Sequence, residues 1–377
     1  MLMTTDIKEQ FHLPEMGVYL LNHSVGCLPN TASQSFQNDF LEPWKQQGSH
    51  AWEHWLNNLT QFNAALASLL NGETQQFCPQ TNLSSALTKI LGSLPSAPAG
   101  SHILLSERDF PSMGFVIQTL CESFGLKPRF IPSEADLTDL NRWDEMLSDD
   151  TWLAFITHVQ SNNSLRLPVA EITELTRKKQ VISVVDIAQS AGIVPIDLNA
   201  WQADFVIGSS VKWLCGGPGS GYLWASDDII EQCKPIDVGW FSHQDPMEFD
   251  IHHFEYAEGA RRFTGGTPSV MPFSLSSKSI RYLNSIGIDT IFKHNQKLIN
   301  QMINLIKPGK IQSPLEQEMR GGTLAISFQD NQKVLEAMSS SGIACDLRSE
   351  GLRFSPHIYN TEEDVDHLVE VINVLEG

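Results

Sequence analysis

The stretch that most constrains this chain is an apolar strand that runs into a small-residue turn, a lysine and a cluster of glycines. Between Ala203 and Gly221, the run Phe205 to Gly208 reads as a buried strand, Ser209 and Ser210 as the turn, and Lys212 as the residue delivered beyond it. A lysine held at the end of an apolar strand is shielded from bulk water. That shielding disfavours its ammonium form and frees the amine to act as a nucleophile. The preceding strand, Val181 to Val185, ends in Asp186. One strand end therefore offers a carboxylate and the next an amine.

Similar runs recur through the middle of the chain. His102-Ile-Leu-Leu, Trp152-Leu-Ala-Phe-Ile-Thr, Ile182-Ser-Val-Val and Phe205-Val-Ile-Gly read as strands, with helical patterns over 82–93, 112–124 and 169–179 between them. Buried strands separated by helices predict an α/β fold built on a mainly parallel sheet covered on both faces, with ligands at the carboxyl ends of the strands. The pattern divides the chain into an N-terminal segment (1–30) lining the active site, a large α/β domain (31–268), a helical connector (269–306) ended by Pro308-Gly309, and a small C-terminal α+β domain (307–377). Two strands, at Gly322 to Phe328 and Leu352 to His357, and two helices are expected in that last domain. Its final helix starts at a capping-box pattern, Thr361-Glu-Glu-Asp.

Composition excludes several classes. A net charge of −19 without a basic stripe speaks against nucleic acid as a partner. Six cysteines without C-x-x-C or zinc spacing read as reduced thiols, and no apolar run reaches the roughly 18 to 20 residues that a spanning helix needs. A cytoplasmic protein with no membrane role is the expectation. His243, His252 and His253 cluster in sequence, but their spacing matches no familiar ligand set, and no metal is expected.

A lysine to form a Schiff base and an aspartate to keep a pyridine nitrogen protonated are what pyridoxal phosphate (PLP) requires. The segment from Val185 to Leu223 resembles the cofactor core of the class V aminotransferase superfamily, the fold-type I PLP enzymes that include cysteine desulfurases, kynureninases and isopenicillin-N-epimerase-like proteins. The resemblance implies a PLP fold with a large and a small domain. Lys212 and Asp186 become its catalytic pair.

The same resemblance implies further roles. Gln80 and Thr81, at the start of the helix after Cys78-Pro79, and Ser209 would hold the phosphate. Phe110, in Phe-Pro-Ser as in kynureninases, would stack on the ring, with Gln189 beside it. In Thr157-His-Val-Gln-Ser-Asn-Asn163, either Asn162 or Asn163 would approach the cofactor. Trp240 and Thr267 match the Gly-Trp-Phe and Gly-Thr-Pro elements of kynureninases and their relatives, the second of which reaches a partner subunit's phosphate, and together they imply a homodimer with shared sites. Arg353, within Arg-Phe-Ser-Pro-His-Ile-Tyr-Asn360, would grip an amino-acid α-carboxylate. Asn22, His23 and Gly26 would line the substrate pocket, His23 as an acid/base or a carboxylate contact.

Two departures bear on the reaction. Kynureninases carry tyrosine directly before the lysine and histidine three after the aspartate, where this chain has Val211 and Gln189. Both missing groups handle protons. Cys345 reads as part of a strand rather than a nucleophile on a loop, which counts against desulfuration. Transamination of an α-amino acid is the favoured expectation, with kynureninase-like Cβ cleavage or epimerisation as alternatives. A non-catalytic PLP-fold binding protein is the outside one.

Overall fold

A computed structural model describes residues 7–15, 17–307 and 309–376. Of the connector's Pro308-Gly309 end, Pro308 lies outside the described residues. The large sheet has seven strands: β1 (Phe77–Gln80), β2 (His102–Ser106), β3 (Lys127–Ile131), β4 (Thr151–Thr157), β5 (Ile182–Asp186), β6 (Phe205–Ser209) and β7 (Gly221–Ala225). Their order is β1-β7-β6-β5-β4-β2-β3. β7 alone runs against the direction of the other six strands, so the sheet is mainly parallel as expected. β1 and β3 were not legible as strands. Each carries a proline, which is tolerated because each lies at an edge of the sheet.

The alternation of strand residues explains the layering. Leu104, Ala154, Ile156, Val185 and Val206 enter one core, while their neighbours Ile103, Leu105, Leu153, Phe155, Val184, Phe205 and Ile207 enter the other. Helix α1 (Ala51–Leu70) and later α4 (Val169–Lys178) cover the first face; α2 (Leu83–Leu91) and α3 (Pro111–Phe124) cover the second. Each of these side chains other than Ala154, fully buried, contributes about 1.5–3 kcal/mol.

The connector is two helices, α5 (Met271–Ile286) and α6 (Ile288–Leu305). Beyond it stands a four-stranded antiparallel sheet of β8 (Lys310–Ile311), β9 (Leu324–Ser327), β10 (Asp346–Arg348) and β11 (Gly351–Phe354), ordered β8-β9-β11-β10. Two more strands than the sequence pattern revealed are present here, both too short to show a period. Helices α7 (Asn331–Ser340) and α8 (Glu362–Glu376) pack on this sheet. Thr361 and Asp364 exchange backbone-to-side-chain hydrogen bonds of 3.1 and 3.2 Å, which is the capping box read from sequence. Cys345 falls between Ile343–Ala344 and β10 rather than inside a strand, and packs on the small-sheet core. The N-terminal Val18–Tyr19 pairs in parallel with Ile343–Ala344, so the start of the chain is stitched to its end. No helix among the described residues is long and apolar enough to cross a membrane.

Gly351 opens β11 at φ +130°, and a Cβ there would lie 2.3 Å from the carbonyl oxygen of Ile326. Gly351→Ala is expected to destabilise the protein by about 1–3 kcal/mol, read as a lower denaturation midpoint.

Candidate active site

Asp186 ends β5 and Ser209 ends β6, at the carboxyl edge of adjacent parallel strands. Beyond Ser209 the chain makes a tight turn. Ser210 N–H donates to Ser220 O at 2.9 Å and Gly216 N–H to Ser210 O at 2.7 Å, so the glycine run folds back into β7, where Gly221 pairs with Ser209. The turn is clamped from outside. Gly26 N–H donates to Val211 O at 2.9 Å, and His357 Nε2 lies 3.1 Å from Trp213 O with its ring stacked on the indole. Gly26 thus serves the site through its backbone: a Cβ there would stand 2.2 Å from Lys212 O.

The resulting cleft, about 230 Å³, is lined by Asp186, Gln189, Ser209, Val211, Lys212, Phe110, Thr157, Ser161 and the Asn82-Leu83-Ser84 start of α2, among others. Burial lowers the pKa of Lys212, partly offset by the carboxylate of Asp186, and the charge of Arg353 lowers it further. Its amine lies 5.8 Å from the centroid of the Phe110 ring. Burial raises the pKa of Asp186, against the opposing pull of the Ala188 N–H and of Lys212. Ala188 N–H donates to Asp186 Oδ1 at 2.7 Å, and among the described residues the other carboxylate oxygen takes no hydrogen bond from the protein.

Several expected residues sit elsewhere. Gln80 and Thr81 do not line this cleft. They face a separate cavity of about 1390 Å³, with Gln80 Nε2 donating to Phe263 O at 3.3 Å. The turn into α2 carries the chain past them, so the part of the helix start that lines the cleft is Asn82, Leu83 and Ser84, while Asn82 Oδ1 accepts from Ser85 N–H at 2.9 Å. Thr267 lines the same outer cavity and accepts from Trp240 Nε1 at 3.2 Å. Asn22 is no pocket residue either. It is fully buried, with its Nδ2 donating to Ser355 O at 2.8 Å and its Oδ1 accepting from the Tyr359 hydroxyl.

His23 is buried and committed at both nitrogens, to Ser355 Oγ at 2.7 Å and Asp346 Oδ1 at 2.9 Å, and burial lowers its pKa. Asn163 is buried and accepts from Leu165 N–H at 3.0 Å, whereas Asn162 is half-exposed. Arg353 does not border the cleft openly: Asp346 binds it side-on. Burial raises Asp346, but hydrogen bonds from His23 and Arg353 and their charges outweigh this and hold it well below the usual carboxylate range.

Sequence reasoning missed Asp346, Ser161, Asn82 and Ser84. Only Asn82 and Ser84, flanking a helix start, carried any local signal. Asp109 was missed too. Its carboxylate, pushed up to about 6 by burial, accepts from Ser106 N–H at 2.8 Å and Gln160 Nε2 at 3.3 Å, and so fixes the turn that presents Phe110.

His243 and His253 do meet, with Glu248 rather than His252, although their spacing matched no ligand pattern. His243 Nδ1 accepts from Asp245 N–H at 2.9 Å, so the neutral ring carries its hydrogen on Nε2, the atom 3.9 Å from Glu248. That tautomer turns a hydrogen, not a lone pair, toward the cluster.

The sheet order, the small second sheet and the lysine cleft define a fold-type I architecture. The chain belongs to the aminotransferase class-V family, whose profile matches residues 18–368. It is 25% identical over 354 residues to the uncharacterized aminotransferase YcbU of Bacillus subtilis (94% of this chain, 93% of the relative). It is 27% identical over 393 aligned positions to a kynureninase of Deinococcus radiodurans (98% and 93%). Among solved structures, the apo cysteine desulfurase of Thermococcus onnurineus NA1 superposes with a TM-score of 0.89 at 20% identity (100% and 98% covered), which shows the shared fold.

PLP, the cofactor of this family, fits the cleft: a desolvated amine, a buried carboxylate with one oxygen to spare, an aromatic ring above, and helix N–H groups with a serine hydroxyl for a phosphate. Borohydride treatment of the PLP-loaded protein is expected to fix the pyridoxyl group to Lys212, read by peptide mapping. Asp186→Asn should retain cofactor yet lose Cα–H exchange by several orders of magnitude, because an uncharged ring is a poor electron sink. Near-normal exchange in that variant would remove Asp186 from the ring nitrogen.

Proposed function

We propose that this chain is a PLP-dependent enzyme acting on a small or aromatic α-amino acid, and that it transfers the amino group. The observation that carries the reading is one cleft in which the desolvated Lys212 amine and the buried Asp186 carboxylate are set beneath Phe110. When bound, PLP supplies an electron sink for the charge left at Cα. Asp186 holds the ring N–H with the oxygen that Ala188 leaves free. Lys212, its proton affinity lowered by burial, takes the Cα proton and returns it. The start of α2 at Leu83 and Ser84 and the hydroxyl of Ser209 would hold the phosphate, Phe110 would stack on the ring, and Arg353 would fix the substrate α-carboxylate.

Transamination needs little more than these groups, and the neighbours support it. Val211 is apolar. Gln189 spends both ends of its amide, donating to His23 O at 3.1 Å and accepting from Trp213 Nε1 at 3.3 Å, so it has no proton to trade. Cβ cleavage usually wants another acid or base. It stands as the second reading because of the full-length similarity to a kynureninase.

A homodimer completes the proposal. Trp240 and Thr267 stand outside the cleft, beside a segment that exposes Ile236, Val238, Met247, Phe249, Ile251 and Phe254, and we assign Thr267, held by Trp240 Nε1, to the neighbouring subunit's phosphate.

A single turnover without acceptor should convert the bound cofactor to pyridoxamine phosphate with stoichiometric keto acid, and an added keto acid should reverse it. Steady release of anthranilate and alanine from kynurenine would overturn transamination in favour of cleavage. For the shared site, mixing Lys212→Ala and Thr267→Val protomers should restore activity after subunit exchange, since one site of the heterodimer is then intact. No recovery after verified exchange would place both residues at the same chain's site.

A further inference from the structure

Arg353 is almost fully buried, with 4% of its surface exposed, yet the protein itself occupies most of its hydrogen-bonding capacity. Nε donates to Asp346 Oδ1 at 2.9 Å and Nη2 to Asp346 Oδ2, while Nη1 donates to Ser161 O at 2.7 Å. The side-on edge of a guanidinium is one that a free carboxylate grips with two parallel bonds. Here a protein carboxylate already holds it.

We infer that Asp346 is a resting counter-ion for Arg353, a built-in carboxylate that the α-carboxylate of an amino-acid substrate displaces from the Nε/Nη2 edge. This rests on the reading of Arg353 as the substrate arginine. Three observations carry it. A buried guanidinium left unpaired is strongly disfavoured, so Arg353 needs a stand-in anion whenever no substrate carboxylate is bound. The acid, not the arginine, is placed to yield: β10 is a three-residue edge strand with the Asp346 side chain 27% exposed, whereas Arg353 sits on β11, flanked on both sides.

Third, Asp346 has other partners to receive it. His23 Nε2 lies 2.9 Å from Oδ1, and the His23 ring is steadied by Ser355 Oγ at 2.7 Å. On the outer side Arg348 Nε lies 3.7 Å from Oδ2. The displaced carboxylate would keep a hydrogen-bond donor and a cation. His23 in turn accepts, through its backbone oxygen, from Gln189 in the cleft, so the exchange is wired to the residue beside the ring site.

The PLP-loaded protein is titrated with glycine, L-alanine and L-phenylalanine, and with methylamine, ethylamine and phenethylamine, which lack the carboxylate, following the visible absorbance. Asp346→Asn should bind the amino acids about tenfold more tightly than wild type and the amines unchanged. In PLP-free protein, Asp346→Asn should lose thermal stability and regain more of it than wild type on addition of acetate, which would fill the vacated edge. Asp346→Ser, smaller and also uncharged, serves as a second variant should the amide disturb the hairpin. Equal or weaker amino-acid binding by both variants, while Arg353→Leu still abolishes the preference for amino acid over amine, overturns the exchange and leaves Asp346 a cross-strand tie. If Arg353→Leu does not reduce that preference, the substrate-arginine reading is what has failed.

Discussion

The burial of the Lys212 turn is the constraint on which the remainder of the site depends. An amine is desolvated only if the backbone that carries it is packed on every side, and that backbone must satisfy its own polar groups as it goes. Here the N-terminal segment supplies the Gly26 N–H, the small domain supplies His357 against Trp213 O, and α5 supplies Ser276 and Ser279 to Gly216 O and Leu214 O. His357 is itself buried, with its pKa lowered to about 4 by that burial, so it is held neutral. Three parts of the chain that are distant in sequence converge on one tight turn.

That convergence explains why residues near the N-terminus that resembled pocket residues serve as fasteners instead. Asn22 and His23 sit in the seam between the start of the chain and β11, and a buried amide or imidazole in a seam must spend its donors and acceptors locally. The chemistry they were expected to contribute passes to others. His23 acts on Asp346, and Asp346 acts on Arg353. Arg353 thus stands as one member of a buried hydrogen-bonded chain rather than as a free cation at a strand end.

Legibility followed the range of the interaction. The four strands with apolar runs in the middle of the chain, the helices between them and the Thr361 capping box were readable, because period and capping are written within a few residues. β1, β3, β8 and β10 were not, being edge strands that are short or contain proline. At the start of α2 the helix boundary was legible but not which residues face the cleft. The geometry of one turn decides whether Thr81 or Ser84 points inward.

By itself the sequence determined the sheet class, the strand-end pairing of Asp186 with Lys212 and the aromatic at Phe110, since each follows from residue type and position at the end of a strand. The tertiary structure alone decided the partners of Arg353 and His23, the outer placement of Gln80, Thr81 and Thr267, and the meeting of His243 with His253. The physical reason is that a contact leaves no periodicity in either segment it joins, whether the partners lie 323 positions apart, as His23 and Asp346 do, or across a short turn, as Arg353 and Asp346 do, so it exists only once the fold has brought the segments together.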